Sequence, residues 1–184
     1  MENPIRVTFP STSWDEISQN LVVITELHHE VHTGDTYVVN YSATGKNAGQ
    51  TINVYMKTGS KSLHMVLGYS GSGAVYGRIL EAAIVTANTG TNAQPVYNRN
   101  RNSGKTSNIY DNATSPAAGV VGVDVTVTGN GTIIYAEYSG AAKQVGGQGR
   151  DELEFVLKPN TPYVFQCESN AAGIVINLNL SWYE

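Results

Sequence analysis

Residues 174–183 read Ile-Val-Ile-Asn-Leu-Asn-Leu-Ser-Trp-Tyr, and no other stretch restricts the fold as tightly. Ile174, Ile176, Leu178, Leu180 and Trp182 fall on one side of a period-two repeat, and Val175, Asn177, Asn179, Ser181 and Tyr183 on the other. Successive side chains of a strand point to opposite faces, so the pattern predicts a strand with one buried face and one mostly polar face. Such a strand needs hydrogen-bonding neighbours, and the rest of the chain has to supply the sheet around it.

The composition suits that demand. Nineteen Gly, 11 Tyr and only 14% charged residues fit short strands joined by turns better than they fit helices. A length of 184 residues is enough for one domain with a substantial core. Residues 27–41 read as two strand-like runs around Thr33-Gly34-Asp35, and residues 155–184 as two more around a turn at 169–173. Between them, strands are expected near 51–57, 63–69 and from 74 onward, each preceded by a glycine turn. Residues 79–85 fit either period and are read as strand from their surroundings. Gly129-Asn130-Gly131, between two β-branched runs, is the strongest hairpin signal in the chain. Ser13-Trp14-Asp15-Glu16 has the form of a capping box, which places one short helix there, with Trp14, Ile17 and Leu21 on its apolar face. The expected fold is all-β: a single-domain antiparallel β-sandwich, jelly-roll-like, with residues 1–20 as a peripheral arm and 21–184 as the sandwich.

Most motifs that suggest chemistry fail on spacing or context. His28, His29 and His32 crowd Glu30, but His29-Glu30-Val31-His32 is one residue short of the zinc-protease pattern. On a strand His28, Glu30 and His32 would share a face, yet no second cluster supplies a fourth ligand, so no metal is expected. Ser103-Gly104-Lys105-Thr106 resembles the tail of a phosphate-binding loop, but that motif needs glycine where Arg99 stands. The acids form no recognisable catalytic pair, no serine is flanked as a nucleophile elbow, and no cofactor is implied. Cys167 has no intrachain partner and reads as a small buried residue. A net charge of −4 gives no electrostatic reason to bind nucleic acid. The first residues lack the basic and apolar runs of a secretory signal, and no run reaches membrane-spanning length, so a soluble chain made in the cytoplasm is expected.

One stretch points to a partner instead. Residues 86–116 form the longest irregular region, and long excursions in compact domains carry function out of proportion to their length. Within it, Asn98-Arg99-Asn100-Arg101-Asn102 alternates two fork-shaped cations with three amides, flanked by Tyr97 and Tyr110. Tyr and Arg are typical interface anchors, so these seven residues are the candidate contact, with a protein partner or between subunits.

The order of several motifs resembles the small β-sandwich decoration, or cement, proteins of tailed-phage capsids. The motifs are E-L-H-H-E-V-H-T-G-D at 26–35, Y-N-R-N-R-N-S at 97–103, L-K-P-N-T-P-Y at 157–163 and S-W-Y-E at 181–184. The resemblance implies a non-enzymatic virion protein on the capsid surface, a homotrimer that bridges neighbouring copies of the major capsid protein. A carbohydrate- or receptor-binding β-sandwich module of a tail spike or fibre is the alternative, on the strength of the aromatic supply and polar loops.

Overall fold

The computed structural model describes residues 14–15, 20–21, 26–86, 93–111, 118–140 and 154–184. Along the chain the elements are β1 (Trp14–Asp15), β2 (Asn20–Leu21), α1 (Glu26–Thr33), β3 (Thr36–Lys46), β4 (Thr51–Thr58), β5 (Leu63–Gly71), β6 (Val75–Glu81) and β7 (Ile84–Val85). They continue with β8 (Ala93–Pro95), β9 (Tyr97–Asn98), β10 (Ile109–Tyr110), β11 (Val120–Val123), β12 (Val127–Gly129), β13 (Thr132–Ser139), β14 (Glu154–Leu157), β15 (Pro162–Ser169) and β16 (Ile174–Tyr183).

Two antiparallel sheets face each other. One runs β14-β5-β16-β3-β9; the other runs β13-β6-β15-β4-β11-β8, with β10 also pairing β4. Eight of the strands, β3, β4, β5, β6, β13, β14, β15 and β16, divide as β14-β5-β16-β3 and β13-β6-β15-β4. That is the strand order of a jelly roll, in which the chain passes repeatedly from one sheet to the other.

The alternation of β16 is the core. Ile176, Leu178, Leu180 and Trp182 are buried, and β16 lies between β3 and β5. Ile52, Val54 and Met56 of β4 and Tyr163, Phe165 and Cys167 of β15 belong to the same cluster, contributed by the opposite sheet. Trp182 stacks on Tyr37 with ring centroids 6.0 Å apart and donates its indole N–H to Ser107 Oγ at 3.1 Å, so its one polar atom is satisfied. Cys167 is buried as expected, and burial pushes its thiol up to about 12.

β4 and β15 are buried on both faces because a third, small layer covers part of the larger sheet. Tyr55, Leu80 and Val164 point away from the main core and pack with Ala83, Val85, Val125 and Val127, carried by the β7/β12 ribbon and the turn beside it. Asn53 pins this flap: its Nδ2 donates to Val125 O at 3.0 Å and its Oδ1 accepts from Val125 N at 2.9 Å. Next to the flap, two outward rows cross the same sheet, Tyr138–Tyr76–Glu168–Thr51 and Ala136–Arg78–Gln166–Asn53.

Four expectations are corrected. Residues 26–33 are helix, not strand, and Gly34 explains the stop. Gly34 sits at φ +79° while Gly34 N donates to Val31 O and Asp35 N to Glu30 O, the paired bonds of a Schellman cap. On a helix, residues two apart do not share a face, so the period-two grouping of His28, Glu30 and His32 dissolves. The capping box at 13–16 gives no helix at Trp14–Asp15, which pair antiparallel with Asn20–Leu21; the spacing of Trp14 and Leu21 fits a helix face and a cross-strand pair equally. Residues 16–19 of that expected helix lie outside the described residues, as does most of the expected arm.

Gly129-Asn130-Gly131 does not close a hairpin, because β12 pairs β7 whereas β13 pairs β6. Gly131 has φ +59°, and a Cβ there would meet Glu81 O at 2.1 Å. The glycine permits close backbone approach as the chain leaves the flap for the sheet. Lastly, the β-branched run ahead of Gly129 is not one strand: it breaks at Asp124, with φ 48°, where the chain leaves β4 to become the flap.

Candidate functional site

Residues 93–111 strap one side of the sandwich. β8 pairs β11 in the seven-stranded sheet, β9 pairs β3 in the five-stranded sheet, and β10 returns to β4. The segment therefore crosses between sheets twice, and its conformation comes from side-chain amides.

Asn98 is buried and works at the centre. Its Nδ2 donates to Gly34 O at 2.7 Å and to Lys105 O at 3.3 Å, and its Oδ1 accepts from Asn100 N at 2.9 Å. Asn100 repeats the arrangement, donating to His32 O at 3.0 Å and accepting from Asn102 N at 3.1 Å. These two-residue side-chain-to-backbone bonds are Asx turns. They tie the loop to the end of α1, whose terminal carbonyls need donors in any case. Arg99 N–H joins Thr36 O at 2.8 Å, and Lys105 Nζ meets both oxygens of Asp35 at 2.8 and 2.9 Å. The Lys105 ammonium holds the Asp35 carboxyl below its ordinary range. Gly34 is needed again here, since a Cβ on it would strike Ser103 Oγ at 2.3 Å.

The amides face inward and the cations outward. Arg99 and Arg101 are exposed, Tyr97 is 50% exposed, and the Arg101 guanidinium lies 5.3 Å over the Tyr97 ring. Among the described residues the ion pairs engage His64, Arg78, Lys105 and Lys158, and neither Arg99 nor Arg101 meets a carboxylate. Residues 97–102 thus form one unit in which Asn98 and Asn100 are scaffold, Asn102 completes the second turn, and Tyr97, Arg99 and Arg101 are presented. Tyr110 is not part of it. It lies on β10 beside β4, half-buried, with its hydroxyl 3.3 Å from Asn108 Oδ1.

The far end of the strap is fastened by Glu184, whose Oε1 accepts from Asn108 N at 2.8 Å while its carboxylate is buried beside Ser107. Burial raises the Glu184 pKa above the usual carboxylate value, and the Asn108 amide only partly offsets it. A group with a raised folded pKa contributes stability that is present below its unfolded value, near 4.5, and lost as pH rises through the folded value. Glu184→Gln should therefore melt higher than the wild type at neutral pH, with the gap closing as pH falls toward the ordinary carboxylate range. Thermal melts across that range check it, and a gap that widens on acidification would refute the sign.

No family model, no curated protein and no solved structure matches this chain. The surface itself then has to carry the functional argument. Among the described residues, no group of three His, Cys, Asp or Glu side chains is placed to hold a metal ion, and no helix is long and apolar enough to cross a membrane. Lys105, from the stretch that resembled a phosphate-binding loop, is engaged by Asp35. A second exposed feature, Tyr138 stacked on Tyr76 beside Arg78 and Glu168, was not anticipated. Strand alternation alone puts Tyr76 and Arg78 on one face; only the β13–β6–β15 register brings the other two beside them.

Proposed function

We propose that this protein is a structural component of a phage virion that decorates the outside of the capsid, acting by adhesion and bridging neighbouring copies of the major capsid protein as a homotrimer. One observation supports this reading most: the amide scaffold at 97–105 presents Arg99, Arg101 and Tyr97 in a fixed arrangement, with both guanidinium groups lacking a carboxylate partner among the described residues. Fixing the loop beforehand lowers the entropy lost on docking, and multiple copies of a modest contact add by avidity. The motif order supplies the identity of the partner.

The test is sedimentation with undecorated heads of the encoding phage. An Arg99→Ala plus Arg101→Ala variant should keep the wild-type melting curve, since both side chains are exposed. Losing an Arg that pairs with a desolvated carboxylate costs about 2–5 kcal/mol, so head binding should weaken by at least roughly thirtyfold. Undiminished co-sedimentation would take the contact away from this loop. Copy number per particle separates capsid decoration, with many copies, from a tail module, with few.

A further inference from the structure

We propose that the open part of the seven-stranded sheet's outer face is a binding site for a neutral saccharide, built on Tyr138 and independent of the strap. Tyr138 is 69% exposed, the most exposed of the large apolar or aromatic side chains among the described residues. Its ring stacks on Tyr76 with centroids 4.2 Å apart and planes 22° from parallel. The Arg78 guanidinium lies 5.3 Å from the Tyr76 ring centre, and Glu168 fixes Arg78 through a 2.8 Å ion pair. Tyr138 is thus braced through a chain of three contacts, and a ring exposed to water is held in one orientation.

The surroundings decide what such a ring is for. Here the flap covers Tyr55, Leu80 and Val164, Ile133 on the same strand as Tyr138 stays 48% exposed, and the strand neighbours of the tyrosines are Ala136, Arg78, Gln166 and Glu168. Arg78 and Glu168 neutralise each other, so the shelf offers no net charge to an ion. It does offer the outer edges of a guanidinium and a carboxylate, 21% and 27% exposed, beside an aromatic face. A pyranose matches both demands: its C–H face is apolar and packs on an aromatic ring, while its rim of hydroxyls seeks donors and acceptors together. Ala136, across from Arg78, is the smallest side chain of its row and is exposed.

Native electrophoresis through gels containing galactomannan, mixed-linkage β-glucan or xylan, with alginate as a polyanion control, tests the site. The wild type should be retarded by at least one of the neutral polymers. Tyr138→Ala should weaken that retardation about tenfold or more, Tyr138→Trp should retain it, and Arg78→Ala should weaken it. Thermal melts establish that the Tyr138 variants fold, as expected for so exposed a position. The Arg99/Arg101 double variant should be retarded like the wild type, which separates this site from the strap. Retardation by none of the neutral polymers, by alginate alone, or equally in Tyr138→Ala would overturn the proposal. Loss of head binding in Tyr138→Ala with no retardation of the wild type would reassign the shelf to a protein contact, and that too overturns it.

Discussion

Leu178→Asp is expected to leave the chain largely unfolded in buffer. Leu178 is 1% exposed on the central strand of its sheet, with Tyr41 of β3 on one side and Tyr69 of β5 on the other. The main-core cluster around that position holds no cation, and the hydroxyls of Tyr41 and Tyr69 already donate to Asp124 and to Glu137 O. Burying one without a partner costs several kcal/mol, and a domain of this kind has only about 5–15 kcal/mol in total. Val156→Asp is the matched control. It lies on the edge strand β14 with 62% exposure and should change stability by less than about 1 kcal/mol. Urea titrations of the two variants compare them directly; a Leu178→Asp midpoint equal to the wild type would remove β16 from the core.

The second large effect falls on the flap. Asn53→Ala removes both bonds to Val125 and strands a buried backbone N–H and C=O, each worth about 1–3 kcal/mol when left unsatisfied. The expected loss is about 2–4 kcal/mol. Hydrogen exchange should accelerate first at Val125 and along β12, since the flap would lift before the sheets separate. Asn53→Asp should do no better, because it turns an acceptor toward the Val125 carbonyl. A variant that loses stability uniformly, with no early exchange at the flap, would show that Asn53 acts on the sheet and not on the flap.

How much of this was readable beforehand depends on range. The alternation at 174–182 gave the right burial for every residue of the predicted core face, because a strand's inside and outside are written locally. Which strands pair is not local: β12 and β13 flank a good hairpin sequence yet belong to different sheets, since the glycines there answer to Glu81 and Ile84 rather than to a two-residue turn. Residues 26–33 misled for a related reason. Leu27 and Val31 are too few to display a helical stripe, and the readable clue was Gly34, whose cap fixes the end of α1. At the candidate interface, the alternation of Asn with Arg was visible, but its division of labour was not. The amides spend their hydrogen bonds on the backbone, and only the intervening side chains are left for a partner. The Tyr138 shelf was out of reach, because Tyr76, Tyr138 and Glu168 become neighbours only through the sheet register.

The passage of the chain from sheet to sheet also dictates when the molecule can come into being. β16 lies between β3 and β5, so until residues 174–183 arrive the five-stranded sheet is two fragments with a gap in the middle. Trp182 then has to find Tyr37, far back along the chain on β3. Contacts of such long range make loop closure precede reward, the regime in which two-state proteins fold in milliseconds to seconds. In the order of synthesis β3 and β5 precede the strand that lies between them, so their apolar faces stay uncovered until β16 has followed.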